Sequence, residues 1–401
     1  LDNLKIRASY GILGNQLLTA SSWSGNTKYY PYIPFMASGT AGNWLFVDGE
    51  KSLYINPAGL VSSDLTWEKA STFNVGLDFT MLNQRLDFSF DWYQRTTSDM
   101  LVKVEYPEVL GTTAPPANKA ELRTRGWEVS VKWNDRIGND FSYDLGFILS
   151  DSQAEITKYE NPTETLSDYY VGQKIGEIWG YETEGFYQSD ADVQNHADQS
   201  KLGANWAPGD IMYKDLDGNN KINNGSNTLD DHGDLKVIGN TTPRYQYGIT
   251  ANMSYKNVYL NVFFQGIGKR DFWPSSQPFW PVATQYYNTQ KWFVTDSWSE
   301  DNRDAYFARP IARETKNQQK QTKYLQDASY CRLKNLTVGY DFPKSWLSFL
   351  HVAKAGVYFS AENLFEFTNV KGAYDPEAAG KNGTMVYPFQ RTYSFGLNVT
   401  F

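Results

Sequence analysis

Short and long connections alternate without exception between the apolar-alternating runs of this chain. A run in which every second residue is large and apolar reads as a strand, because a period of two sets alternate side chains on opposite faces of a sheet. Leu4–Gly11 is the first such run. Phe73, Val75, Leu77, Phe79 and Met81 form the next, which turns at Asn83-Gln84 into Leu86, Phe88, Phe90 and Trp92. Trp127–Trp133 pairs in the same way with Phe141–Leu149, Tyr245–Met253 with Val258–Phe264, and Leu336–Tyr340 with Ala355–Ala361. Tyr393–Phe401 closes the series. The links near residues 83, 137, 256 and 347 are short, whereas those at about 12–65, 96–124, 152–243, 269–329 and 362–390 are long. About ten strands with all long links at one end predict an all-β, antiparallel transmembrane β-barrel with short periplasmic turns and long extracellular loops. A soluble sandwich has no reason to gather its long loops at one rim.

The strand faces agree with this. Phe, Leu, Val, Trp and Tyr occupy one side, and Asp78, Asp87, Asp91, Glu128, Lys132 and Asn398 the other. An Arg or Lys facing lipid at mid-bilayer costs about 2–4 kcal/mol and an acid somewhat less, so the charged side is expected to line a wet interior. Aromatics make up 16% of the 401 residues, including 28 Tyr and 13 Trp, residues suited to places where an apolar body meets water. A net charge of −8 argues against nucleic acid as a partner, which calls for a basic face. The single cysteine, Cys331, excludes an internal disulfide framework and reads as a small packing residue in a strand. The chain opens at Leu1 directly on a strand-like run and reads as the C-terminal piece of something longer. Ten strands alone enclose only a narrow barrel, so further strands are expected upstream.

Several blocks, in order, carry a family resemblance over nearly the whole chain. They are Asp64-Leu65-Thr66-Trp67-Glu68 leading into Phe73-Asn74-Val75-Gly76-Leu77-Asp78; Arg125-Gly126-Trp127-Glu128-Val129; Ile175-Gly176-Glu177-Ile178-Trp179-Gly180-Tyr181; Pro208-Gly209-Asp210-Ile211 with Asp215-Leu216-Asp217-Gly218; Ile238-Gly239-Asn240 with Pro243; Arg332-Leu333-Lys334-Asn335; and Glu362-Asn363-Leu364-Phe365. Together these blocks resemble the C-terminal part of the SusC/RagA-like TonB-dependent transporters of Bacteroidota outer membranes. The resemblance implies a barrel of about 22 strands with a plugged lumen, of which this chain supplies the last portion, the plug domain lying outside it. It also implies location in the outer membrane among its lipids, a SusD-like surface lipoprotein as partner and lid, and energy from TonB acting through the missing N-terminal part. The cargo would be glycan or oligopeptide fragments.

Two groups of residues are candidates for binding. Asp215-Leu216-Asp217-Gly218-Asn219-Asn220-Lys221-Ile222 resembles a calcium loop, in which oxygen ligands at alternate positions wrap a hard cation. The expected ligands of a structural Ca2+ are Asp215, Asp217, Asn219 and the Lys221 carbonyl. Asn220 stands where glycine is usual, and Ser226 where the last acid is expected, so Asp230 or Asp231 would have to reach in. The other reading is an Asx-rich turn held by its own hydrogen bonds. The second group is aromatic: Trp44 in the first long loop, and Trp273, Trp280, Tyr286 and Tyr287 in the fourth, are expected to include substrate contacts, because ring faces suit sugar C–H faces. The competing reading is that they pack the loops together or meet the lid.

Catalytic signatures are weak. His196, His232 and His351 do not make a metal pair at helical spacing, and neither a G-x-S-x-G elbow nor a phosphate-binding P-loop occurs. The chain is therefore read as a non-enzyme. Two alternatives stay open on sequence: an outer-membrane barrel hydrolase with Asp and His at its rim, and a soluble all-β carbohydrate-binding module.

Overall fold

A computed structural model describes residues 1–15, 33–34, 36–45, 51–62, 65–103, 115–283, 288–347, 352–372, 374–379 and 389–401, with backbone alone for 41–45, 103 and 116. Ten long strands form one antiparallel sheet in chain order: β1 (Asn3–Asn15), β2 (Glu68–Met81), β3 (Leu86–Lys103), β4 (Pro116–Ile137), β5 (Phe141–Lys158), β6 (Arg244–Tyr255), β7 (Val258–Lys269), β8 (Tyr330–Asp341), β9 (Lys354–Glu362) and β10 (Thr392–Thr400). A stub, Glu366–Thr368, pairs with the outer end of β8 where β9 has stopped. Each strand pairs with its sequence neighbour, as an up-and-down wall requires. The sheet does not close on itself; β1 and β10 are its edges.

The short turns pass through a left-handed backbone. Leu82, Asn83 and Gln84 all have positive φ, as do Gly138 and Lys256 in the next two turns. A tight turn fixes the register, and the register aligns the faces. One row across the sheet reads Phe79, Phe88, Val131, Phe147, Ile249, Phe264. The row beside it, on the opposite face, reads Asp87, Lys132, Gly146, Thr250, Phe263, Asn335. Phe79 stacks on Phe88 at 4.7 Å, and Phe359 meets Phe395 at 5.1 Å. Cross-strand aromatic pairs of this kind contribute about 0.2–1 kcal/mol each. No second sheet covers the apolar face: Phe73, Val75, Phe147, Ile249, Phe395 and Leu397 are all exposed. That face is finished by lipid.

The strands next to the second long link run further than their alternation suggests. β3 has 18 residues and β4 has 22, against the roughly 9–11 that a tilted strand needs to cross a bilayer. The short turns lie at the other end, so the excess projects outward as a ribbon. Much of the segment expected as loop 96–124 is therefore paired strand. The polar run Thr96-Thr97-Ser98-Asp99 there breaks the apolar alternation. A sequence reading keyed to lipid-facing alternation stops where the lipid stops.

The links 159–243 and 270–329 fold against each other into a compact outer body. Inside it, short strands pair: Glu177–Tyr181 with Leu235–Asn240, and Thr183–Phe186 with Ile211–Tyr213. Tyr213, Ile211, Ile222, Phe279, Phe307 and Tyr324 are fully buried at its centre.

Candidate functional site

The outer body is organised on a buried carboxylate. Asp210 has no exposed surface. Its oxygens accept from Arg309 Nε (2.9 Å) and Nη2 (2.8 Å), from Asn317 Nδ2 (2.9 Å) and from the Ala207 amide (3.0 Å). The Lys316 ammonium, itself buried, lies 2.9 Å away. Burial is the largest single influence on this carboxyl and would raise its pKa, but the partners Arg309, Asn317 and Lys316 together outweigh it and hold the group below the usual aspartate value. The preceding Gly209 has φ +88, and a Cβ there would sit 2.3 Å from the Trp298 ring. Only glycine fits that backbone against that indole. The Pro208–Ile211 motif is thus the joint that ties the third long link (Tyr187, Asp210, Ile211) to the fourth (Trp298, Arg309, Lys316, Asn317).

Further contacts brace the body internally and the wall at its outer rim. Thr242 Oγ1 and Asn240 Nδ2 both donate to the Ile175 carbonyl, at 2.7 and 3.1 Å, and the Asn240 amide donates to Asp271 Oδ2 at 2.8 Å. Arg244, at the head of β6, pairs with the buried Asp151 of β5. On β8, buried Arg332 donates to Glu377 Oε1 (2.8 Å) and to Asp375, while Lys334 reaches Glu377 at 3.0 Å. The Arg332–Asn335 block therefore anchors the last long link.

The aromatic candidates separate. Trp280 is buried among Tyr324 (ring centroids 5.0 Å), Phe279 (4.9 Å) and Trp273 (6.0 Å), and its indole N–H donates to the Pro274 carbonyl at 2.6 Å. Trp273 is half-buried at the edge of the same cluster. Both pack against the outer body. Trp44 belongs to the strand Ser38–Leu45, and its side chain, like all of Tyr286 and Tyr287, lies outside the described residues.

The Asp/Asn loop is tightly self-bonded. Asp215 accepts from the amides of Gly218 (2.8 Å) and Asn220 (2.7 Å), Asp217 from Asn219 (3.0 Å), and Asn219 Oδ1 from Lys221 (2.8 Å). Asn220 sits at φ +60, supplying the left-handed turn expected of a glycine. One carboxylate oxygen from each of Asp215, Asp217 and Asp234 lies within 4.8 Å of the others. These hard oxygen donors suit a divalent cation such as Ca2+. Asp231 turns away to Ser226, whose amide and hydroxyl donate to it at 2.9 and 2.6 Å. Neither Asp231 nor Asp230 is among the three converging carboxylates. Asp234, buried and held by the amides of Leu216 and Asn223, takes the position expected of them. Sequence distance hid Asp234, because the hairpin-like return of 222–235 brings it back under the loop.

The histidines are engaged locally. His196 meets the Tyr187 hydroxyl at 3.1 Å, and His232 lies 5.4 Å from the Trp179 ring. His351 lies outside the described residues.

On the polar face of the wall, the Arg7 guanidinium bridges Asp78 (2.7 and 2.8 Å) and Asp91 (2.9 and 2.8 Å) across three strands. Ser89 donates to Asp78 and Thr80 to Asp87. Asp78, Asp87, Asp91, Glu128, Lys132 and Asn398 do share one face, and a concavity of about 540 Å3 lies against it, with Asp91, Glu128, Ser130, Gln246 and Gln265 in its lining.

An antiparallel wall with an uncovered apolar face, a polar opposite face and every long link at one rim is the wall of an outer-membrane β-barrel. The chain belongs to the TonB-dependent receptor family: the model for "TonB dependent receptor-like, beta-barrel" matches residues 1–364. It is 28% identical to TonB-dependent receptor P3 of Formosa agariphila over 99% of its length and 39% of that protein's. It is 26% identical to TonB-dependent receptor SusC of Bacteroides thetaiotaomicron, over 100% and 38%. The fold matches the RagAB peptide importer in its closed-closed state with a TM-score of 0.71 and 25% identity, covering 100% of this chain and 41% of that one. The relatives are of the SusC/RagA type, and the chain spans about two fifths of their length. Like them it is an outer-membrane β-barrel protein, which sets aside the soluble carbohydrate-binding module.

Proposed function

We propose that this chain forms part of the wall and the outer vestibule of a TonB-dependent importer, which takes up glycan or oligopeptide fragments together with a SusD-like surface lipoprotein. The observation that carries this reading is the division of the sheet into a lipid-finished face and a continuous polar face. Unpaired strand edges are not tolerated in hydrocarbon, so β1 and β10 are expected to find partners in the remainder of a larger barrel. The outer body, cross-braced on Asp210, is stiff enough to serve as a rim on which a lid seats. Within it, Asp215, Asp217 and Asp234 would hold a structural Ca2+. The chain's part in uptake is binding and passage, with no bond made or broken.

Uptake of labelled oligosaccharides and oligopeptides by cells with and without this gene, each with and without functional TonB, tests the proposal. Uptake lost in both deletions is the expected result. Uptake indifferent to TonB would overturn it. Affinity purification of the intact transporter is expected to bring down a surface lipoprotein in constant ratio.

A further inference from the structure

The outside of the wall changes character abruptly toward the long links. Trp92 of β3 and Trp127 of β4 face each other in register, on the side of the sheet that carries Phe88 and Val131. One step further out the row reads Tyr10, Phe73, Gln94, Arg125, Gln153. The step beyond reads Ser71, Thr96, Arg123, Glu155. Each of these residues lies an even number of positions from a lipid-facing one on its own strand, so all point outward. Strands in such a wall are tilted, so a row slopes through the bilayer. It is still aromatic at Tyr10 and Phe73 and already polar at Gln94 and Arg125. Tryptophan marks the level where acyl chains give way to headgroups, and Arg125 stands just outside it.

The charges at this level do not balance. Arg123 Nη2 lies 3.3 Å from Glu155 Oε1. Two further pairs, Arg244 with Asp151 and Lys69 with Asp99, cancel one for one. Arg125 is exposed, and its Nε donates to Gln94 Oε1 at 2.8 Å. Among the described residues no carboxylate pairs with Arg125, and its two terminal nitrogens have no partner. One positive charge is left over, held in place by a glutamine and directed at the membrane.

An outward arginine that costs about 2–4 kcal/mol at mid-bilayer costs only about 0–1 kcal/mol near the interface. An anion at that depth converts the cost into attraction. The guanidinium fork matches phosphate oxygens two at a time. The amides of Gln94 and Gln153 and the Thr96 hydroxyl, in register on either side, suit sugar hydroxyls, and the two indoles below suit the start of the acyl chains. We propose that Arg125 and Arg123, with Gln94 and Gln153, form a docking site on the outside of the barrel for the phosphate-bearing sugar headgroup of an outer-leaflet lipid. The site lies on the opposite face of the wall from any passage and is independent of the import reading.

The test is native mass spectrometry of the full-length transporter released from detergent, titrated with phosphorylated lipid A, with dephosphorylated lipid A or with phosphatidylglycerol. Phosphorylated lipid A is expected to be retained most tightly. Arg125→Gln should weaken that binding about fivefold, the scale of one arginine at an anionic bilayer surface, and Arg125→Lys, which keeps the charge without the fork, should weaken it less. Lys132→Gln removes the same charge from the wet face and should leave binding unchanged. Heat-modified gel mobility checks that each barrel has folded. Binding by Arg125→Gln equal to that of the unaltered protein overturns the site, as does an equal loss in Lys132→Gln, which would mean net charge alone. Retention of dephosphorylated lipid A as tight as that of the phosphorylated form overturns the phosphate, and tighter retention of phosphatidylglycerol overturns the sugar headgroup.

Discussion

The wall and the outer body solve opposite packing problems with similar residues. In the wall, Phe73, Phe147, Phe395 and Leu397 stay uncovered by protein, because lipid completes their burial and the hydrogen-bonded ladder already satisfies the backbone. In the outer body, Phe279, Phe307 and Tyr324 are enclosed by protein on all sides, edge against face at 5–6 Å. The body has little regular ladder, so side chains must do what the ladder does in the wall. Asp210, Asn317, Gln199 and Gln321 are buried there to satisfy backbone and cationic groups that no strand reaches. An aromatic-rich sequence segment can therefore mean a lipid-facing surface or a protein-enclosed centre. What separates the two is whether the polar residues between the aromatics alternate.

This contrast makes changes in the two regions distinguishable. The largest effect is expected from Asp210→Ala, which leaves Lys316 and Arg309 without their carboxylate. Removing one partner of such a buried group costs about 3–5 kcal/mol. Limited proteolysis should then cut the 159–243 and 270–329 links while the barrel stays protected in the membrane; equal loss of both would dissolve the distinction. Because the Asp210 pKa is lowered on folding, its contribution is present above the ordinary aspartate value of 3.8 and fades as pH falls through the lower folded value. Protease resistance of the body should accordingly persist at mildly acidic pH and fail only below that range.

Next comes the wall. Phe90→Lys places a charge among lipid-facing residues and should cost about 2–4 kcal/mol near the midplane, whereas Ser89→Lys, one residue away on the wet face, should be nearly silent. Reversible unfolding in lipid vesicles would compare them, and equal costs would mean that the faces are misassigned. Gly209→Ala should follow at about 1–3 kcal/mol from the strained backbone, before any added cost of displacing Trp298. Intrinsic tryptophan fluorescence of the body is the natural probe.

The smallest change is expected from cation removal. Chelator should lower the melting temperature of the outer body by a few degrees, an effect lost in Asp217→Asn. An identical melt with and without calcium would assign Asp215, Asp217 and Asp234 to a self-bonded turn.

Much of this could be read from residue order. The alternation in 73–81 and 86–92, the turn at Asn83-Gln84 and the one-sided long links lead directly to the wall, its faces and its rims. The Pro208–Ile211, Ile238–Asn240 and Arg332–Asn335 blocks stand out as motifs, but their meaning does not. Asp210 needs Arg309, Lys316 and Asn317, about a hundred positions away, and no local pattern links them. Trp280 looks available to a ligand until Tyr324 and Phe279 are seen closing over it.

Period-two patterning and turn chemistry are local, so the strands, their pairing order and the side each presents to lipid follow from the chain read a few residues at a time. Which carboxylate joins Asp215 and Asp217, and which tryptophan is enclosed, depend on residues brought together across separate strands and loops. Only the folded chain decides those, because burial and charge compensation are properties of neighbours in space.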